Sequence, residues 1–120
     1  MFDHIGLKVR DIGAAVRFYQ AALTSLGHVL ASQDESGAGF GPKGAPALWL
    51  YRVENSKGPG VHVALVAPNR AAVDKFHQQG VKAGGKDHGA PGLRVDYSPN
   101  YYAAFLLDPD GNNVEAVCFK

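Results

Sequence analysis

The chain has 120 residues, 46% hydrophobic and 19% charged, a length that suits one domain or two very small modules sharing a core. Twelve basic and eleven acidic residues leave a formal charge of +1, which gives no electrostatic reason to expect nucleic acid or an anionic membrane as partner. One cysteine, Cys118, excludes an internal disulfide framework and a cysteine-based zinc finger. No apolar run approaches ~20 residues, so we expect no transmembrane span, no secretory signal and a cytoplasmic protein.

Phe2 to Val9 reads as a strand, with Ile5, Leu7 and Val9 alternating against His4, Gly6 and Lys8. Asp11 stands where a helix N-cap belongs, and Ile12, Ala15, Val16, Tyr19 and Leu23 follow at helical spacing. The helix is expected over about 12–26, ended by Gly27. Short strands are expected near 28–34, 37–42 and 46–53, between Gly and Pro punctuation. A second strand–helix pass runs from Val61 to Ala67 and then from Asn69, a second cap, through Ala72, Val73, Phe76 and Gly80 to Gly84-Gly85. A long loop over about 86–99 follows. Then come a strand from Tyr101 to Leu107, a turn Asp108-Pro109-Asp110-Gly111, and a last strand from Asn112 to Phe119.

The two passes are one pattern read twice. A shift of 58 residues lays His4 on His62, Leu7 on Leu65, Asp11 on Asn69, Ala14 on Ala72 and Phe18 on Phe76 without a gap. The organisation is therefore α+β: two tandem βαβββ modules, about 1–57 and about 58–120, within a single domain 1–120. Neither half can bury a core alone, so the halves must pack together, within one chain or across a dimer.

Alternate strand residues face opposite sides of a sheet. If Ile5, Leu7 and Val9 lie under the first helix, His4 faces away from it. The same parity turns His62 away from the second helix, and it sets Glu115 opposite Val114, Ala116 and Cys118. Two readings stand for these side chains. They are packed or solvent-facing strand residues, or they converge as two imidazoles and a carboxylate, a ligand set suited to Fe, Mn, Ni or Zn with positions left open. His28, His77 and His88 read as surface residues.

The segments Asp3–Asp11 (DHIGLKVRD) with Phe18-Tyr19, Gly60–Leu65 (GVHVAL) and Phe105–Val117 (FLLDPDGNNVEAV) resemble those of the vicinal oxygen chelate proteins. These are the glyoxalase, bleomycin-resistance and extradiol-dioxygenase relatives. The resemblance covers nearly the whole chain in order, and the Asp-Pro-Asp-Gly turn with its following Glu is its most specific part. It implies curved mixed sheets forming a pseudo-barrel around a cavity, a homodimer, and a divalent metal on His4, His62 and Glu115 that chelates vicinal oxygens of a small substrate. Lyase or isomerase, dioxygenase and thiol-transferase chemistry all fall within it. Glyoxalase I proper has a fourth ligand, a glutamate, where this chain has Trp49. Trp49 and Tyr51 share a strand face that would form an aromatic wall. Arg94, Tyr101 and Tyr102 are further candidates to meet a substrate, Arg94 through an anionic group. The alternative is a metal-free small-molecule binding protein of the bleomycin-resistance type.

Overall fold

The computed structural model describes residues 1–55 and 60–120. Strand β1 (Ile5–Val9) leads into helix α1 (Ile12–Leu23) and a short 3-10 turn (Thr24–Leu26). Strands β2 (Val29–Gln33), β3 (Gly37–Gly41) and β4 (Leu48–Arg52) complete the first module. The second repeats it: β5 (His62–Val66), α2 (Arg70–Lys82), β6 (Lys86–Leu93), β7 (Tyr102–Leu107) and β8 (Asn113–Cys118). The module boundary expected near 57/58 lies outside the described residues.

Both helices start where the sequence places a cap. The Asp11 carboxylate accepts the Ala14 N–H at 3.1 Å, and the Asn69 side chain accepts that of Ala72 at 2.8 Å. The first helical run ends at Gly27, whose φ of +90° closes the turn in the left-handed conformation.

Each module forms a four-stranded sheet, ordered β1-β4-β3-β2 and β5-β8-β7-β6. The β1–β4 and β5–β8 pairs are parallel and the others antiparallel. One segment departs from expectation. The stretch read as a loop over 86–99 begins with the eight-residue strand β6, which pairs irregularly with β7. Its Gly, Pro and polar residues carry no alternation, and the pairing is imposed by β7.

Each helix covers one face of its own sheet, and α1 and α2 pack against each other. Leu7, Val9, Phe18, Tyr19, Phe40, Leu50, Val73, Phe76 and Leu106 belong to one buried cluster drawn from both modules. Gly80 and Gly85 let Phe18 approach α2, because a Cβ at either would stand 3.3 Å or less from its ring. Val61, where the second module's strand is expected to start, precedes β5 and is exposed. The pseudo-barrel is not closed within a chain: the sheets stay separate, the modules join through their helices and the turn between β7 and β8, and the opposite sheet faces are left free of helix. Among the described residues, no helix is long and apolar enough to cross a membrane.

Candidate functional site

The helix-free face of the second sheet carries a chain of polar contacts. His62 on β5 and Glu115 on the central strand β8 meet across the parallel ladder, with His62 Nε2 3.0 Å from Glu115 Oε1. The Tyr101 hydroxyl donates to the other oxygen, Oε2. Glu115 is only 2% exposed, so both its oxygens are committed to side chains of this face. Burial, and then the Glu115 carboxylate beside it, push the Tyr101 hydroxyl up to about 12. Tyr101 is therefore a proton donor to Glu115 at neutral pH, not a base.

Phe105, directly opposite Glu115 in the β7–β8 register, stacks against the His62 ring at 6.2 Å. The Arg94 guanidinium lies over the same Phe105 ring at 5.4 Å. Tyr101 is packed edge-on between Tyr97 and Phe119. Tyr102 departs from expectation. It points to the opposite face, where its hydroxyl bonds Asp74 of α2 at 2.6 Å and Arg70 lies over its ring. Strand parity separates the two adjacent tyrosines.

On the first sheet, Trp49 and Tyr51 share the helix-free face of β4. A Cβ at Gly39 would stand 2.5 Å from the Trp49 ring, and one at Gly6 would stand 2.7 Å from Tyr51. These glycines let both rings lie down on the sheet as an aromatic floor. No residue of β4 is a carboxylate.

His4 is not brought to His62 and Glu115. Its Nδ1 bonds Asp3 at 2.6 Å, and it borders a largely apolar cavity of about 130 Å³ between the modules, with Ile5, His28, Leu48 and Val63. Among the described residues of one chain, no three His, Cys, Asp or Glu side chains are grouped to hold a metal. His28, expected at the surface, is half-buried. Its Nδ1 is buried without a partner, and burial lowers its pKa. His77 pairs with Asp87 at 2.8 Å. Sequence reasoning missed Phe105, although it shares β7 parity with Tyr101.

The His62–Glu115 pair has a defined chemistry. Two electron-pair donors at 3.0 Å need a proton or a cation between them. Two ligands at about 2.1 Å on adjacent corners of an octahedron stand about 3 Å apart. One imidazole and one carboxylate thus fit as one edge of a divalent-metal site.

The family model of the Glyoxalase/Bleomycin resistance protein/Dioxygenase superfamily matches residues 1–116. The chain belongs to this superfamily. Solved structures of the superfamily share its fold over nearly the full length. A glyoxalase/bleomycin resistance protein from Albidiferax ferrireducens T118 is 27% identical, with a TM-score of 0.79 and 98% of each chain covered. A glyoxalase/bleomycin resistance protein/dioxygenase family enzyme from Burkholderia phytofirmans PsJN is 20% identical, with a TM-score of 0.76 over 98% of each chain. A glyoxalase-related enzyme from Fulvimarina pelagi is 21% identical, with a TM-score of 0.74 over 95% of this chain and 84% of its own. No curated protein matches the sequence. The two modules of the fold account for the 58-residue repeat, and the superfamily's members include enzymes.

Proposed function

We propose that this superfamily member is a small metal-dependent enzyme. His62 and Glu115 hold one edge of a divalent ion, and His4 from a second copy of the chain completes the ligand set. The observation that carries the reading is the 3.0 Å His62–Glu115 contact, with Tyr101 securing the far carboxylate oxygen. A second copy is invoked because the helix-free sheet faces are open and His4 stands apart from the pair. The buried free Cys118 fits a reducing, cytoplasmic compartment.

The bound ion, Fe, Mn, Ni or Zn, would chelate vicinal oxygens of a small substrate and draw charge from the anion formed in the reaction. The chain's own residues prepare the site. Tyr101 fixes the Glu115 carboxylate, and Phe105 fixes the plane of the His62 ring. The Trp49 and Tyr51 floor of the second copy would cover an apolar substrate. Without a carboxylate on β4, the proton-moving ligand of lactoylglutathione lyase is missing, so that activity is not proposed. Bound iron would mark oxygen chemistry; zinc or nickel would mark lyase or isomerase work.

A second reading, a metal-free binding protein, is favoured by the flat aromatic floor and by the lack of a three-ligand group within one chain among the described residues. Metal analysis after loading with Fe, Mn, Ni and Zn, combined with sedimentation, separates the two. The wild type should be a dimer with about one ion per chain, and His62→Ala and His4→Ala should each weaken metal binding by about tenfold or more. A wild type that binds no more metal than His62→Ala under every loading would leave the binding protein as the reading.

A further inference from the structure

We propose that Arg94 seats an anionic group of the ligand, so that the ligand class is small carboxylic acids with an apolar body. The inference rests on the functional face described above and names the chemistry it selects. It does not require the metal.

Arg94 is placed by construction. Its Nη1 donates to the Gly92 carbonyl at 2.9 Å and its Nη2 to the Ala90 carbonyl at 2.7 Å. These bonds fold the side chain back along β6 and over Phe105. The glycines at 89 and 92 leave room for this path. A Cβ at Gly89 would stand 3.2 Å from Nη2 and 2.8 Å from the Phe105 ring, and one at Gly92 would stand 3.2 Å from Nη1. Both acceptors are neutral carbonyls. No carboxylate of the described residues lies within ion-pair distance of Arg94. A guanidinium carries five N–H donors and keeps its charge at any physiological pH. Two donors are spent on carbonyls, which leaves a rigid, half-buried cation with donors to spare.

Placement supplies the rest. Arg94 and His62 contact the same Phe105 ring, so an anion on Arg94 is held one aromatic ring away from the Glu115 carboxylate. A ligand anchored at Arg94 would lay its apolar body across Phe105 toward His62. Bidentate guanidinium–carboxylate bonding is stronger than neutral hydrogen bonding and fixes orientation. Arg94 also accepts backbone N–H bonds from Tyr97 and Ser98 at its own carbonyl, and its N–H donates to Tyr101. Those contacts do not involve the guanidinium, so a side-chain change leaves them in place.

The test is calorimetric titration of the purified protein with benzoate and with benzamide, with and without chelator. Benzoate should bind about tenfold or more tightly than the isosteric neutral amide in both conditions. Arg94→Gln should erase the preference, and Arg94→Lys, which keeps the charge without the fork, should retain part of it. His62→Ala should lose metal and keep the benzoate preference, so a failure of the metal site is distinct from a failure here. Competition by inorganic phosphate would extend the class to oxyanions generally, and its absence would confine the class to carboxylates; either supports an anion seat. Equal binding of benzoate and benzamide, no benzoate binding, or unchanged benzoate binding by Arg94→Gln would each overturn the inference. So would a preference that follows metal content and disappears in His62→Ala. If Arg94→Gln fails to fold, a folded Arg94→Lys with undiminished benzoate affinity would overturn it.

Discussion

Gly39 shows how much of the aromatic floor depends on one missing methyl. A Cβ there would collide with the six-membered ring of Trp49, and the indole would have to lift off the sheet. Gly39→Ala should therefore red-shift the emission of Trp49, the only tryptophan, and cost about 1 kcal/mol in urea unfolding. An unchanged emission maximum would show that the ring does not rest on Gly39. At this scale the sequence was partly legible. Parity set His62 and Glu115 on a common face because period two is local. It could not bring His4 to them, because the relative placement of the two sheets is decided by helix packing far along the chain. Tyr101 and Tyr102 were candidates together until the register of β7 put them on opposite faces.

Among the elements, the turn between β7 and β8 ties the modules together. The buried Asp108 carboxylate accepts from the backbone N–H groups of Asp110 and Asn112, the Asn112 side chain, and the Tyr19 hydroxyl of α1 at 2.7 Å. Arg10 in the first module bonds Asp110 through its backbone N–H and its Nε. Asp108→Ala strands several buried donors at once and should cost about 3 kcal/mol or more. Tyr19→Phe removes one donor and leaves the carboxylate otherwise satisfied, so it should cost about 1 kcal/mol. Urea midpoints of the two variants check the ratio. Equal losses would mean that the Tyr19 bond alone accounts for what Asp108 contributes. This turn was the clearest motif of the sequence, and β6 the most obscure. The Asp-Pro-Asp-Gly signal is local turn chemistry, whereas KDHGAPGL becomes a strand only because β7 offers it partners.

The whole molecule has a weak point toward acid. His28 lies at the cavity between the modules with an unpartnered ring nitrogen, and burial holds its pKa below the ordinary value. The unfolded chain takes up this proton near pH 6.5, and the folded chain resists it. The stability His28 contributes is therefore present above about pH 6.5 and is lost as the pH falls through the lowered folded value. The urea midpoint should drop as the pH falls below about 6.5, and His28→Gln should flatten that drop. Asp34 and Asp87, also lowered, titrate below about pH 4 and fall outside this window. A slope unchanged in His28→Gln would assign the acid sensitivity elsewhere.

Strand β4 carries two messages in alternate letters. Leu48 and Leu50 are buried in the core, while Trp49 and Tyr51 lie on the face free of helix. Substitution at 49 and 51 can reshape the floor without disturbing the packing that keeps the chain folded. The floor can thus be altered in small steps, with the glycines at 6 and 39 setting how closely each new side chain lies on the sheet.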